Sequence, residues 1–501
     1  MGAQVKVKTE TVWEPLPGAQ TWALNSPANH IFFEGTRGSA KTDAQLMAFR
    51  QHVGRGFGAF WRGVIFDREY KNLDDIVARS KRWFNAFDDG AKFNASKSDY
   101  KWTWPTGEEL LFRQIKREDD YWDYHGQEFP FIGWNELQKQ PTSQLYDMMM
   151  SCNRSGYVPK KGRPEIPLLV FSTANPYGAG HNWCKRTFID VAQPGQPVIK
   201  KTKVFNPRIQ KDDEIVKSQV RLFGSWRENK YLPPEYIAEL MAIKDPNLKK
   251  AWVYGDWDVV AGGALDAVWD RETHVIPSFK IPSTWYVDRS MDWGSSHPFS
   301  IGWWAESDGT EAVFPDGTIF CPPPGTLIRI AEWYGAEEDD NGFKTNKGLQ
   351  MGVKEISRGI HEIENALLED ILINYNYVEA GPADNQISDV RDADTPTIET
   401  QFEDNDIFWT KSDKASGSRK IGLQLLRDRL QAGNSSTIED PAIYFCENCK
   451  DCIAQLPVLP RDPKKLDDVD TEAEDHIYDE VRYRVLAGGR PVETETGGLN
   501  F

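Results

Sequence analysis

No apolar run in this 501-residue sequence reaches the roughly 20 residues that a membrane-spanning helix needs, so no membrane partner is expected. The opening MGAQVKVKTE lacks the apolar core of a signal peptide, which makes the cytoplasm the expected location. Gly2, followed by Val5 and Lys6, is a poor context for N-myristoylation. Positive charge is short too: 59 Lys and Arg against 76 Asp and Glu leave a net charge of −17. Such a surface does not wrap nucleic acid as a whole, although a local basic groove stays open. Cysteines number six, three of them in Cys446-x-x-Cys449-x-x-Cys452, with no second ligand pair of zinc-like spacing nearby. At spacing three they fit one side of a helix as small apolar residues. Internal repeats and long low-complexity tracts are absent.

What is there is a folded chain with 40% hydrophobic and 12% aromatic residues, too long for one core. Strand-like runs at 30–33, 63–66, 129–134 and 168–172 alternate with helical stretches at 41–53, 73–87 and 233–252, an α/β pattern. Gly262-Gly263 and the 277–282 stretch read as a linker. A second α/β pattern follows, with strands at 285–291, 300–305, 327–333 and 375–379. Its helices are expected at 347–363, 419–432 and 473–486. The expected domains are therefore 1–260, a linker 261–282, a second domain 283–487 and a flexible tail 488–501.

The strongest string is IFFEGTRGSAKT, residues 31–42, an apolar strand running into a near-match to the P-loop pattern. In it Gly35, Thr36, Arg37, Gly38, Ser39 and Ala40 would cradle phosphates with backbone N–H groups at a helix N-terminus. Lys41 would reach the β/γ-phosphates of ATP, and the Thr42 hydroxyl would ligate Mg²⁺. Ala40 stands where a second glycine is usual, which requires a negative φ there. A P-loop also needs a strand ending in acids. Residues 129–136 end in Asn135-Glu136: Glu136 is placed to activate water, and Asn135 stands where an Asp would hold Mg²⁺. Ser172, Thr173 and Asn175, at the end of another strand, are candidates for sensing the γ-phosphate. Pro15, Gln20 and Trp22 could frame the adenine.

The second half carries carboxylates at the ends of expected elements: Asp292, Glu379, Asp475 and Asp479, the last two on one helical face. Such a set can hold two Mg²⁺ or Mn²⁺ ions for phosphodiester hydrolysis, with His476 as a proton-transfer or outer group. Asp288 and Asp384 are weaker candidates, expected to be solvated. Lys411, Lys414, Arg419 and Lys420, in a small-residue loop, are candidates for holding DNA phosphates. A solvated loop is the plain alternative.

These strings together resemble the large terminase subunit of tailed bacteriophages, over about residues 15–486. The resemblance rests on the P-loop with Arg37, on STANP at 172–176 followed by GHNW at 180–183, and on Gly255-Asp256-Trp257. Asp292-Trp293-Gly294 and the run Asp475-His476…Asp479…Arg482-Tyr483 add to it. It implies an N-terminal ATPase of the additional-strand type and a C-terminal nuclease with an RNase H-like fold. It further implies ATP-driven translocation of double-stranded DNA into a procapsid and cutting of concatemers. The implied partners are the portal protein, the small terminase subunit and further copies in a ring, commonly a pentamer. The implied setting is the host cytoplasm and, transiently, the procapsid, with the finished virion excluded. Lys41 and Thr42 would bind ATP-Mg²⁺, and Glu136 would activate water. Asp292, Glu379 and Asp475 would bind metals, with Asp479 as a candidate fourth ligand. Arg37 is a candidate switch or trans-acting arginine, with Arg154 and Arg227 as rivals. Two other readings stay open: a P-loop helicase or remodelling ATPase whose second domain binds nucleic acid without cutting it, and a virion structural protein with a degenerate nucleotide site.

Overall fold

The computed structural model describes residues 11–96, 99–207, 209–260, 262–338, 342, 344–390, 395–435, 439–462, 464–465 and 467–488. The N-terminal decapeptide and the expected tail, apart from Gly488, lie outside the described residues. The chain divides into two units, Met1–Ala261 and Gly262–Phe501. No helix among the described residues is long and apolar enough to cross a membrane.

The first unit has strands β1 (His30–Gly35), β2 (Arg62–Asp67), β3 (Lys92–Asn94), β4 (Lys101–Thr103), β5 (Glu109–Gln114), β6 (Phe131–Trp134), β7 (Leu169–Thr173), β8 (Pro197–Asn206) and β9 (Lys211–Gly224). Its helices are α1 (Ala19–Asn25), α2 (Lys41–Arg50), α3 (Tyr70–Phe84), α4 (Gln144–Met149), α5 (His181–Cys184), α6 (Pro234–Met241) and α7 (Pro246–Lys249). One nine-stranded sheet runs β3-β4-β5-β2-β6-β7-β1-β9-β8. From β5 across the centre to β9 its strands are parallel. Successive residues point to opposite faces, so Phe33, Ile65 and Phe171 enter one core and Phe32, Val64 and Val170 the other. That double burial explains the continuous apolar runs. Strand β7 lies between the P-loop strand β1 and β6. It is the additional strand.

The expected helix 233–252 is broken. Pro246 cannot continue α6, so the chain restarts as α7 and ends in a π-helical turn, Lys250–Tyr254. Strands β8 and β9 are absent from the sequence-based expectation because both faces of their ribbon are largely exposed, which erases any apolar periodicity.

The second unit has β10 (Val275–Ile276), β11 (Tyr286–Asp292), β12 (Ser300–Glu306), β13 (Ala312–Val313), β14 (Ile319–Phe320), β15 (Leu327–Tyr334), β16 (Ala336–Glu338), β17 (Lys344–Gly348), β18 (Pro382–Ala383), β19 (Thr410–Lys411) and β20 (Ile443–Cys446). Its helices are α8 (Arg271–His274), α9 (Val353–Asp370), α10 (Ile398–Glu403), α11 (Ser418–Gly433), α12 (Lys450–Gln455) and α13 (His476–Leu486). The main sheet runs β10-β20-β15-β12-β11-β18-β19. Within it an antiparallel meander, β11-β12-β15, is continued beside β11 by parallel β18 and β19. This is the RNase H-like strand order.

Two expectations change here. The segment expected as a linker is packed into the second unit: Ala264 and Leu265 are fully buried, β10 pairs with β20, and Phe279 and Ile281 join the core. The three cysteines do not share a helix face. Cys446 ends β20, Cys449 precedes α12 and Cys452 lies within it, all buried. Burial pushes all three thiols up, so they stay neutral apolar fillers.

Candidate active sites

In the first unit the P-loop follows β1 directly. Gly35 is required where it stands, because a Cβ there would lie 2.2 Å from the Gly224 carbonyl of β9. Ala40 corrects the expectation of a negative φ: it is left-handed, with φ 58° and ψ 33°. That conformation costs a non-glycine residue roughly 1–2 kcal/mol, so neighbours must hold it. Gln20, itself buried, donates its Nε2 to the Ala40 carbonyl at 3.1 Å, and the Ala44 amide bonds the same oxygen at 3.3 Å. Gln20 thus braces the loop from below; Trp22, on the same helix, is 61% exposed. Asn229 donates to the Gly38 carbonyl at 2.7 Å, a brace the sequence did not signal.

Among the described residues no protein acceptor takes the amides of Ser39, Ala40, Lys41 or Thr42. A run of free donors at the start of α2 fits a phosphate chain. Buried Lys41 donates to the Thr36 carbonyl at 2.8 Å, Ser39 Oγ at 3.0 Å and Asn175 Oδ1 at 2.9 Å. Burial pushes its ammonium down to about 8, while Glu34 and Glu136 work to keep it charged.

Glu136 follows β6 in a left-handed conformation, φ 54°, which aims it away from the strand. Its amide donates to Thr173 Oγ1 at 3.0 Å. Its Oε2 accepts the Tyr177 hydroxyl at 2.5 Å and meets the Lys139 ammonium. Burial opposes its charge, yet Lys139 and Tyr177 hold the carboxyl below its ordinary range. Oε1 has no protein donor among the described residues, and the side chain keeps 30% of its surface open to water. Asn135 donates to Asp67 Oδ2 at 2.7 Å, and Asp67, at the end of β2, is 1% exposed. The negative charge absent at Asn135 is therefore supplied one strand over. The run VIFD at 64–67, an apolar strand ending in an acid, was the signal for it.

Of the coupling candidates, Thr173 meets Glu136 and Asn175 meets Lys41, whereas Ser172 is buried in β7 between β1 and β6. Arg37 lies 3.2 Å above the Trp252 ring and its amide bonds the Trp252 carbonyl. Arg227 is exposed beside Trp226. Arg154 donates to the Gly126 carbonyl and belongs to the loop entering β7, at the opposite end of the strands from the P-loop.

Glu34, in β1 just before the loop, is fully buried. Trp257 donates to it at 3.0 Å and Arg221 lies 3.5 Å away, yet burial raises its carboxyl to about 7. The native state therefore keeps a proton that the unfolded chain loses near pH 4.5. Stability of this unit should fall as pH rises from about 4.5 to 7, by on the order of 3 kcal/mol. In Glu34→Gln that part of the slope should vanish in thermal melts between about pH 5 and 8. An unchanged slope would place the proton elsewhere.

In the second unit β11 ends in Asp292, which is 6% exposed. Asp384 follows β18, next to it: Ala383 pairs with Met291, and the Asp384 amide bonds the Met291 carbonyl at 3.0 Å. Helix α13 brings Asp475 at its N-cap, Asp479 one turn on and Tyr483 a turn beyond. Tyr483 donates to Asp292 Oδ1 at 3.4 Å, and His476 Nδ1 lies 3.3 Å from Oδ2. Burial raises Asp292 to about 6 and Asp475 to about 7, with Asp479 adding repulsion to both.

Glu379 does not join this cluster. It sits opposite Asp288, four residues back along β11, about 13 Å from the Asp292 level. Asp384, expected to be solvated, is 5% exposed and takes its place. Asp288 is not solvated either: Arg484 donates to it and to Glu306, each at 2.7 Å, inside the core. Three of the four expected DNA-holding cations pair with acids. Lys414 contacts Asp384, and Arg419 lies 3.5 Å from Asp475 and 3.3 Å from Asp479. Lys420 faces Asp467 at 3.5 Å, and Lys411 is exposed on β19. A cleft of about 720 Å³ runs past Asp384, Lys414, Arg419, Asp479 and Tyr483. The donor chemistry suits a hard divalent cation. As placed, however, no three His, Cys, Asp or Glu side chains among the described residues form a ready-made cage.

No family model and no curated protein matches the chain. Solved structures do. The large terminase from a thermophilic bacteriophage is 15% identical, covering 94% of this chain and 98% of that one, with a TM-score of 0.37. The chain is similar to phage large terminases. The HK97 bacteriophage large terminase is 10% identical, covering 94% of this chain and 93% of that one, with a TM-score of 0.42. The P22 large terminase nuclease domain is 14% identical, covering 45% of this chain and 91% of that domain, with a TM-score of 0.29.

Proposed function

We propose that this chain is a viral DNA-packaging motor subunit: an ATPase that drives double-stranded DNA into a procapsid, and a metal-dependent endonuclease that cuts concatemers. The observation that carries the reading is the joining, in one chain, of two crevices. One links a P-loop lysine, a water-facing glutamate and the end of β7 by direct hydrogen bonds. The other brings Asp292 and Asp384, at the ends of neighbouring strands of an RNase H-like sheet, beside Asp475 and Asp479 of α13.

In the first crevice the free amides and Lys41 bind the phosphates of ATP. A phosphate draws on the same ammonium that Asn175 holds, so nucleotide state reaches the end of β7 and, through Thr173, the backbone of Glu136. Glu136 Oε1 takes the proton of the attacking water. Thr42 and Asn135 would hold Mg²⁺, which neutralises phosphate charge. In the second crevice the four aspartates would hold Mg²⁺ or Mn²⁺, which supplies an activated water for phosphodiester hydrolysis. The partners on this reading are DNA, the portal, the small subunit and further copies of the chain in a pentameric ring. The place is the host cytoplasm and, transiently, the procapsid.

The test is ATP-dependent protection of DNA from added nuclease by procapsids. Protection is expected with the wild type and should be lost in Lys41→Ala. No protection by wild type with active procapsids would refute the motor reading. A protein that hydrolyses ATP on DNA yet never cuts plasmid with Mn²⁺ would instead be a remodelling ATPase with a non-cleaving second domain.

A further inference from the structure

The parallel strands of the first unit end at the nucleotide crevice, and their other ends form an edge that the proposed ATPase reaction does not use. Residues 154–163, RSGYVPKKGR, enter β7 from that edge and carry four cations and no acid, in a chain of net charge −17. Residues 154 and 158–165 stand exposed around it, except Pro159. The turn after α2 reaches the same edge: a Cβ on Gly56 would lie 3.1 Å from Arg163 Nη1, so Arg55 neighbours this loop. Tyr157 packs against both Phe57 and Phe60, each at 5.5 Å between ring centres, which ties the loop to the turn.

The ribbon of β8 and β9 projects from this edge as well. Gln219 pairs with His30, the first residue of β1, and the Ser218 amide bonds Asn29. Residues 211–218 therefore extend beyond β1 by about 26 Å. The ribbon carries Lys200, Lys201, Lys203, Lys211 and Lys217 against Asp212, Asp213 and Glu214, a small cationic excess, and both faces of its projecting part are largely exposed. Lys201 is paired with Glu214 at 2.9 Å. Arg55, Lys160, Lys161, Arg163 and Lys211 make no ion pair among the described residues, and Lys203 shares Glu214, directly opposite it, with the paired Lys201. Lys217 stands directly opposite Lys200 on the neighbouring strand.

We propose that this edge of the first unit grips the phosphates of duplex DNA, an inference that rests on the packaging-motor reading. Cations from three separate segments, with Arg55, Lys160, Lys161 and Arg163 outside any ion pair among the described residues, form a basic surface on an acidic protein whose complement is a regular polyanion. A two-stranded ribbon also matches the roughly 12 Å width of a major groove. The edge lies across the sheet from the P-loop, and β7 runs between the two. Movement at Thr173 and Asn175 would thus be delivered to the loop entering β7.

The test uses the full chain and a labelled duplex of about 30 base pairs in EDTA, with binding measured by anisotropy at several salt concentrations. For Lys160→Gln/Lys161→Gln/Arg163→Gln the slope of log K against log salt should become shallower by about 2 to 3. For Lys203→Gln/Lys211→Gln it should become shallower by about 1 to 2. Basal ATP hydrolysis should stay unchanged in both, which reports a folded unit. Wild-type slope and affinity in both variants would overturn the proposal, including the case where only procapsid association is lost, which would mark a protein-docking edge. If the slopes fall as expected but wild type never packages DNA, the surface stands and the motor reading fails. If wild type packages and the slopes do not change, the reverse holds.

Discussion

Glu136→Ala is expected to lower DNA-stimulated ATP hydrolysis by the assembled motor roughly 10²–10⁴-fold, the usual contribution of a positioned general base. Nucleotide binding should change by no more than a few-fold. The reason lies in how its two oxygens differ. Oε2 is held by Tyr177 and Lys139, which fixes the carboxylate and keeps it ionised. Oε1 faces the crevice with no protein donor among the described residues. On the proposed reading phosphate binding falls to other groups: the amides from Ser39 to Thr42, and Lys41. Glu136→Gln separates charge from shape, because an amide still accepts from Tyr177 but cannot take a proton. Both variants should bind a non-hydrolysable ATP analogue and fail to turn over ATP. A wild-type rate in either, measured with DNA and procapsids present, would remove Glu136 from the reaction.

Much of this crevice was legible in the sequence because P-loop chemistry is local. Gly35 to Thr42 are contiguous, and a strand-loop-helix order places their amides without reference to the rest of the chain. Glu136 and Thr173 were legible for a related reason: each ends an apolar run, and parallel strands deliver their last residues to one edge. What stayed hidden depended on neighbours far along the chain. Ala40 takes a positive φ because Gln20, twenty residues away, bonds its carbonyl. Asp67 compensates for Asn135 only because β2 and β6 are adjacent, a pairing that no local string encodes. The β8–β9 ribbon left no trace for want of a buried face. The 262–282 segment looked like a linker because glycine and proline set its appearance, while the few apolar residues between them set its packing.

The second large effect tests the point where sequence and structure part. Asp384→Asn is expected to reduce metal-dependent plasmid cleavage at least about 100-fold, and Glu379→Gln to leave it within about two-fold. The strand expected at 375–379 placed Glu379 at its end, beside β11. In the fold that stretch bonds β11 at the level of Asp288 and Val287. The chain then runs on through Gly381, and β18 pairs with β11 at Met291. Parallel registry therefore carries Asp384, not Glu379, to the level of Asp292. Packing is tight here, since a Cβ on Gly381 would lie 2.0 Å from the Arg289 carbonyl, which leaves the register no slack to slip. Lys414 contacts Asp384 and would lose its anionic partner in Asp384→Asn, so a melt should accompany the assay. Cleavage lost without a large drop in melting temperature assigns the role to the carboxylate itself. Full cleavage by Asp384→Asn together with loss in Glu379→Gln would mean that the register seen here is not the one that cuts DNA.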